Sequence, residues 1–233
     1  MGFRFKQFEI EDTHSTLRVG TDTMILGSWA EPDQAGNILD IGTGCGILAL
    51  MMAQKSNARI DAIDIDRPSC IEAEKNFLLS PWKERLRVIN DSLQLFAKTA
   101  SCRYDYIITN PPFYSNQLKS PSIRKNSSRH DLELGLTEIL HHVTNLLTAN
   151  GRFALILPFD TANDFLLLYG DSSLHTVRKL IVSTKPGNPP KRMLLEFGRD
   201  FAIKPEISEL TILDNMGKFS TGYLLLTHRF HCF

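Results

Sequence analysis

The sequence predicts an α/β fold with a mostly parallel sheet, and three observations predict it. Short apolar runs alternate with longer segments whose apolar residues recur every three or four positions. A glycine cluster, Gly42, Gly44 and Gly46, falls where the first such run passes into the first such segment. Acidic residues close the next two runs, at Asp64 and just beyond Asn90. Strand followed by helix followed by strand implies right-handed βαβ units, with helices on both faces of the sheet.

Taken in order, Asn37–Ile41, Arg59–Asp64, Leu86–Asn90, Tyr104–Thr109 and Arg152–Leu157 read as strands, because they are apolar and β-branched and end in Gly, Asp, Asn or Pro. Ile47–Gln54, Pro68–Leu79 and Thr137–Leu147 read as helices, and Pro68 suits a first helical turn, where its missing N–H is no loss. Beyond Pro158, Thr176–Thr184 and Arg192–Phe197 form a predicted antiparallel hairpin around the Pro- and Gly-rich Lys185–Lys191. Glu209–Leu213 and Tyr223–His228 are expected as further antiparallel strands. The 233 residues, 42% of them hydrophobic, suit one domain: an arm and first helix over 1–36, a ligand-binding half over 37–158, and a half completing the sheet over 159–233.

Composition narrows the function classes. Twenty-six basic residues balance 26 acidic ones, so any nucleic-acid surface must be local. No run approaches the roughly 20 apolar residues of a membrane span. Four cysteines without CxxC spacing and an N-terminus, MGFRFKQFEI, without a signal-like apolar core point to the cytoplasm. His228, His231 and Cys232 are too few ligands for zinc, and no metal is expected. His141 and His142 read as structural, and Trp29 and Trp82 as core or interface residues.

The glycines of Ile38-Leu-Asp-Ile-Gly-Thr-Gly-Cys-Gly-Ile47 permit a sharp turn and close approach of a ligand to the helix start. In Arg59-Ile-Asp-Ala-Ile-Asp-Ile-Asp66, Asp64 lies where a carboxylate accepts from both ribose hydroxyls of a nucleoside. Asp66 is the rival for that role, and it also suits a cap for the helix starting near Pro68. The spacing is GxGxG rather than the GxGxxG of dinucleotide binders, and Asp40 just before it could bind an amino group or water.

This pattern resembles the class I S-adenosylmethionine methyltransferases, whose cofactor carries an ammonium and a carboxylate but no phosphate. The resemblance implies that Asp40, Gly42, Gly44 and Gly46 hold the methionine end, Asp64 the ribose, and Asp91 of Val88-Ile-Asn-Asp-Ser92 the adenine amino group. It places Asn110-Pro-Pro-Phe113 beyond the carboxyl end of the fourth strand, facing the cofactor.

Those four residues suit methylation of a conjugated amine. The side-chain oxygen of Asn110 and the carbonyl of Pro111 can each accept one N–H, favouring a pyramidal nitrogen whose lone pair points outward. Pro111 and Pro112 make the loop rigid, and Phe113 offers a face on which a flipped base can stack. The constellation resembles enzymes acting on adenine N6, guanine N2, cytosine N4 or glutamine side chains.

Over nearly the whole chain the sequence resembles the bacterial tRNA(Val) adenine-N6 methyltransferase family, which modifies the adenine next to the anticodon. The matching pieces are Phe5-Lys-Gln-Phe8, Val19-Gly-Thr-Asp22, Leu39-Asp-Ile-Gly-Thr-Gly44, Ser80-Pro-Trp82, Asn110-Pro-Pro-Phe113, Arg129-His130 and Thr221-Gly-Tyr-Leu-Leu-Leu-Thr-His228. Guanine-N2 and protein-glutamine enzymes, the alternative readings, usually carry an extra N-terminal domain that is not expected here. A third alternative is an RNA-binding protein with a relict cofactor fold.

By the resemblance, Val19–Thr23 lies along the cofactor and base pocket, with Gly20 giving close approach and Gly20 and Thr21 binding the cofactor. Cys45 stands where the family often has Thr, and the tail His-Arg-Phe-His-Cys-Phe departs from the family's acidic and aromatic ending. Lys119, Arg124, Lys125, Arg129 and His130 after the NPPF loop, and Lys185, Lys191 and Arg192 around the Pro-rich turn, are candidate RNA contacts. The oligomeric state is left open.

Overall fold

The computed structural model describes residues 2–13, 19–111, 124–168, 173–201 and 204–231, and side chains for all of these except 124–134 and 168. The chain opens with two short antiparallel strands, β1 (Gly2–Arg4) and β2 (Glu9–Glu11), in the segment read from sequence as an arm. Helix α1 (Thr21–Trp29) follows. Strand and helix then alternate through β3 (Asn37–Ile41), α2 (Ile47–Lys55), β4 (Arg59–Asp64), α3 (Arg67–Leu79), β5 (Leu86–Asn90), α4 (Leu93–Thr99), β6 (Tyr104–Thr109), α5 (Arg124–Leu146) and β7 (Leu147–Pro158). The remaining elements are α6 (Phe159–Leu168), β8 (His175–Ser183), β9 (Pro190–Gly198), β10 (Glu206–Thr211) and α7 (Thr221–Thr227).

Eight strands form one sheet in the order β10-β8-β9-β7-β6-β3-β4-β5. Every pairing is parallel except the two made by β9, which runs against both β7 and β8. From β3 the chain winds outward through β4 to β5, then returns to lay β6 on the other side of β3. That reversal opens a crevice beyond the carboxyl ends of β3 and β6, the place where open α/β sheets bind ligands.

The central strands are apolar along their whole length because helices cover both faces. Alternate residues go to opposite sides: Ile38, Ile108, Ala154 and Ile156 join the core beneath α1 and α2, while Leu39, Ile107, Leu155 and Leu157 join the core beneath α5 and α6. Trp29 is buried, and Trp82 packs on the same core with its ring edge-on to Phe8 at 5.8 Å.

The hairpin β8–β9 forms as predicted, with Gly187 at φ 77° and the Asn188 amide donating to the Lys185 carbonyl at 3.1 Å. Two C-terminal expectations are corrected. The second edge strand spans Glu206–Thr211 rather than Glu209–Leu213, and it is parallel to β8, because it starts on the far side of β8 at the end of the sheet where β9 finishes. Tyr223–His228 is not a strand but lies largely in helix α7. Ser220 caps that helix by accepting from the Tyr223 amide at 3.1 Å, and Tyr223 and Thr227, one turn apart, are its buried residues.

A polar cluster ties the sheet to the far end of α1. Buried Glu196 of β9 accepts from the Tyr106 hydroxyl at 2.7 Å and from Arg178 at 2.7 and 3.2 Å. Arg178 also reaches Glu31 at 2.9 Å and lies over the Trp29 ring, 4.4 Å from its centroid. Both partners of each buried charge are present, which is the condition for burying them without a large penalty.

Candidate active site at the sheet crevice

The glycine loop is a backbone device. Gly42, Gly44 and Gly46 have φ of 70°, 56° and 87°, a region side chains disfavour. The amides of Gly42 and Thr43 donate to the Ile63 carbonyl at 2.9 and 3.0 Å, tying the loop to the end of β4. Gly46 opens α2, and a Cβ there would meet Phe77 Cε1 at 2.5 Å. At Gly42 a Cβ would have no neighbour within 4 Å among the described residues. One glycine lets two helices close together; the other borders open space.

Four acids were expected here, and the structure separates them. Asp40 is fully buried; its Oδ2 accepts from the Thr43 hydroxyl at 2.6 Å and the Ala49 amide at 3.2 Å, while Oδ1 has no partner among the described residues. Burial pushes its pKa up to about 7, against the lowering effect of those two hydrogen bonds and with a small addition from the charge of Asp64. Asp64, also buried, accepts from the Gly44 amide at 2.8 Å through Oδ2 and from the Asp66 amide at 2.9 Å through Oδ1. A carboxylate has about four lone-pair directions, so Asp64 keeps capacity for a ligand.

Asp66 instead caps α3, its Oδ2 accepting from the Ser69 amide at 3.0 Å and hydroxyl at 2.6 Å. Asp91 donates its amide to the Asp64 carbonyl at 3.1 Å, and its carboxylate accepts from the Ser92 amide at 2.8 Å. Between Asp64 and Asp66, Ile65 is 77% exposed, and sequence reasoning passed over it. An apolar side chain left bare at the lip of a crevice is visible only once its neighbours are placed. Asn90 holds that lip, its side-chain nitrogen donating to the carbonyls of Asp64 at 2.9 Å and Ile65 at 3.1 Å.

Asn110 and Pro111 continue from the end of β6 and are buried. The Asn110 Nδ2 donates to the Thr23 hydroxyl oxygen of α1 at 2.9 Å, and Oδ1 is buried without a partner among the described residues. Thr23 belongs to the stretch expected along the pocket, but its bond to Asn110 was not legible in the sequence, because the contact spans 87 residues. Gly20, in extended conformation at φ −134°, precedes α1; Gly20 and Thr21 are exposed. Val19, just before them, is held by buried Asp12, whose carboxylate accepts from the Val19 amide at 2.6 Å.

Among the RNA candidates, Lys185 and Lys191 are exposed, and Arg192 pairs with Asp22 of α1 at 2.7 Å. Pro112, Phe113, Lys119 and Cys232 lie outside the described residues, as do the side chains of Arg124, Lys125, Arg129 and His130. Among the described residues no group of three His, Cys, Asp or Glu could hold a metal ion, and no helix is long and apolar enough to cross a membrane.

Two buried acceptors without partners, Asp40 Oδ1 on β3 and Asn110 Oδ1 just past the neighbouring β6, therefore stand at the same end of adjacent strands. Leaving such atoms unmatched costs about 1–3 kcal/mol each unless a ligand supplies donors. The residues fit a ligand bearing a cationic amine beside the loop and a second donor beside Asn110.

Residues 11–158 match the family described as the methyltransferase small domain. The chain is 38% identical over 232 residues to the "tRNA1(Val) (adenine(37)-N6)-methyltransferase" of Bacteroides fragilis, covering 98% of this chain and 97% of that protein. Proteins of the same name from Parabacteroides distasonis and Shewanella putrefaciens are 36% and 34% identical, with at least 97% of either chain covered. In fold it resembles a predicted O-methyltransferase from Agrobacterium tumefaciens (TM-score 0.67, 16% identity, 90% of this chain and 96% of that one). It also resembles a ribosomal protein L11 methylase from Lactobacillus delbrueckii (TM-score 0.54, 16% identity, 76% and 77%). With identity of this level sustained from end to end, and the glycine loop and Asn110 set at the crevice of a methyltransferase sheet, the chain belongs to the tRNA1(Val) (adenine(37)-N6)-methyltransferase family.

Proposed function

We propose that this protein transfers a methyl group from S-adenosylmethionine to N6 of the adenine next to the anticodon of a tRNA, with tRNA(Val) as the substrate. The observation that carries the chemistry is the buried, partnerless Oδ1 of Asn110 at the crevice. The family membership carries the choice of amine.

S-adenosylmethionine supplies an electrophilic methyl on a sulfonium. In this reading Asp40 receives the ammonium through its free Oδ1, and the loop from Gly42 to Gly46 lets the methionine end approach the backbone. Asp64 would accept from the ribose hydroxyls, Asp91 from the adenine amino group, and Ile65 would offer an apolar face to the adenine. Gly20 and Thr21 border the pocket on the α1 side.

Asn110 Oδ1 accepts one N–H of the target amine and the Pro111 carbonyl the other. Two acceptors on one nitrogen draw its hydrogens to one side and turn the lone pair, otherwise conjugated with the ring, toward the methyl. Held there, S-adenosylmethionine would supply its methyl to that lone pair, the carbon–sulfur electron pair staying with sulfur, and the amine's surplus proton would pass to solvent. No base is required before attack, because the nitrogen becomes acidic only as it gains the methyl. Phe113 supplies the stacking face for a flipped base, and Pro112 keeps the loop rigid.

Lys119, Arg124, Lys125, Arg129, His130, Lys185 and Lys191 are assigned to phosphate contacts, so binding weakens steeply with salt. The setting of this activity is the cytoplasm. The test is incubation with methyl-labelled cofactor and unmodified tRNA, followed by digestion to nucleosides. Label in N6-methyladenosine is expected; label confined to guanosine or to protein glutamine would replace the substrate assignment.

A further inference from the structure

We infer that Thr23 is a positioning residue that sets which end of the Asn110 amide faces the target amine. The inference rests on the amine-methylating reading of Asn110 given above. An asparagine amide has an acceptor end and a donor end of nearly equal shape, and rotation by half a turn exchanges them. Only the acceptor end helps the reaction. With Nδ2 toward the incoming base, two N–H groups would confront two others and nothing would draw the nitrogen's lone pair outward.

The structure contains the device that chooses. Asn110 Nδ2 donates to Thr23 Oγ1 at 2.9 Å, both side chains are buried, and Oδ1 is left as the unpartnered acceptor. The Thr23 hydroxyl accepts from Nδ2 in the orientation seen, which leaves Oδ1 for the donors that the target amine brings. With the amide turned round, the same hydroxyl could donate to Oδ1, but Nδ2 would then meet the amine's N–H groups and neither side would be matched.

The turn of α1 that carries Thr23 is itself braced at both ends. Asp22 pairs with Arg192 of β9 at 2.7 Å, and past the other end Arg178 holds Glu31 and lies over Trp29. Helix α1 therefore presents Thr23 to Asn110 from a fixed frame. This gives Arg192 a role in the site through Asp22, beside the RNA contact expected from its position after the Pro-rich turn.

The test combines kinetics and NMR on the full chain. Thr23→Val keeps the shape and removes the acceptor; about a tenfold fall in kcat is expected from loss of one hydrogen bond, with cofactor affinity held. Thr23→Ser, which retains the oxygen, is expected to restore most of that turnover. In an Asn110→Ala background, Thr23→Val is expected to cause no further loss, since there is no amide left to orient. Wild-type kcat in Thr23→Val, or the same tenfold loss with and without Asn110, would overturn the inference.

A readout independent of any Thr23 variant is the Asn110 side-chain amide in nitrogen-15 spectra of the wild type, identified by its loss in Asn110→Ala. Slow solvent exchange of its protons is expected, and free exchange would refute the bond. Failure of the wild type to methylate adenine would overturn the substrate reading, while the amide spectrum still decides the orientation of Asn110.

Discussion

Replacing Gly46 by alanine separates what the glycine loop does for packing from what it does for ligand binding. Gly46 has φ 87°, and an added Cβ would sit 2.5 Å from Phe77 Cε1 and 3.2 Å from Ala73 Cβ. Forcing an L side chain into that backbone region costs about 1–2 kcal/mol. Phe77 is the buried face of α3 and has no open space to retreat into, so overpacking adds about 1–3 kcal/mol. The sum, about 2–5 kcal/mol, is a large share of a typical stability of about 5–15 kcal/mol. For a chain of this size it corresponds to a fall in Tm of roughly 4–20 °C.

The matched change is Gly42→Ala. Gly42 has φ 70°, but its Cβ would meet nothing within 4 Å, so only the strain of about 1–2 kcal/mol applies. That Cβ would enter the open side of the loop and should weaken S-adenosylmethionine binding. Urea unfolding measures the first effect and calorimetric titration of the cofactor the second. Equal destabilisation by the two variants would refute the packing argument, and unaltered cofactor affinity in Gly42→Ala would refute the assignment of the open face.

Asn110→Ala should lower kcat by about 100- to 1,000-fold, the usual loss for one preorganised polar group at a reacting centre, with cofactor affinity kept; parallel loss of both would point to a cofactor role. Asp64→Ala should weaken cofactor binding by about ten- to a hundredfold, as expected for hydrogen bonds to a charged group, whereas Asp66→Ala should cost only about 1 kcal/mol of stability through its lost cap. The reverse pattern in calorimetry would transfer the ribose to Asp66. Asp40, with a pKa raised from 3.8 to about 7, binds its proton more tightly folded than unfolded, so ligand-free stability should fall as pH rises across that interval. A cationic amine needs the ionised carboxylate, so cofactor affinity should rise with pH up to about 7 and then level, and Asp40→Asn should flatten the profile. A flat wild-type profile would argue against contact between Asp40 and the ammonium.

The sequence by itself determined the central sheet. Asn37–Ile41, Arg59–Asp64, Leu86–Asn90 and Tyr104–Thr109 are strands over the very spans read from composition, because strands covered on both faces must be apolar throughout and must stop where Gly, Asp or Asn turns the chain. The glycines of the loop were legible for the same local reason, since positive φ leaves a mark in residue type. Local pattern failed where one pattern serves two structures. Tyr223–His228 is short and apolar enough for either strand or helix, and the Ser220 cap together with burial of Tyr223 and Thr227 made it a helix. The direction of β10 depended on where the chain crossed, which no residue in Glu206–Thr211 encodes. The site divided likewise: Asp40, Asp64 and Asn110 stood out by motif, but the capping duty of Asp66, the exposure of Ile65 and the bond from Asn110 to Thr23 came from the tertiary structure alone. Which oxygen of a buried amide stays free is decided by a partner 87 residues away, and only folding brings that partner within 2.9 Å.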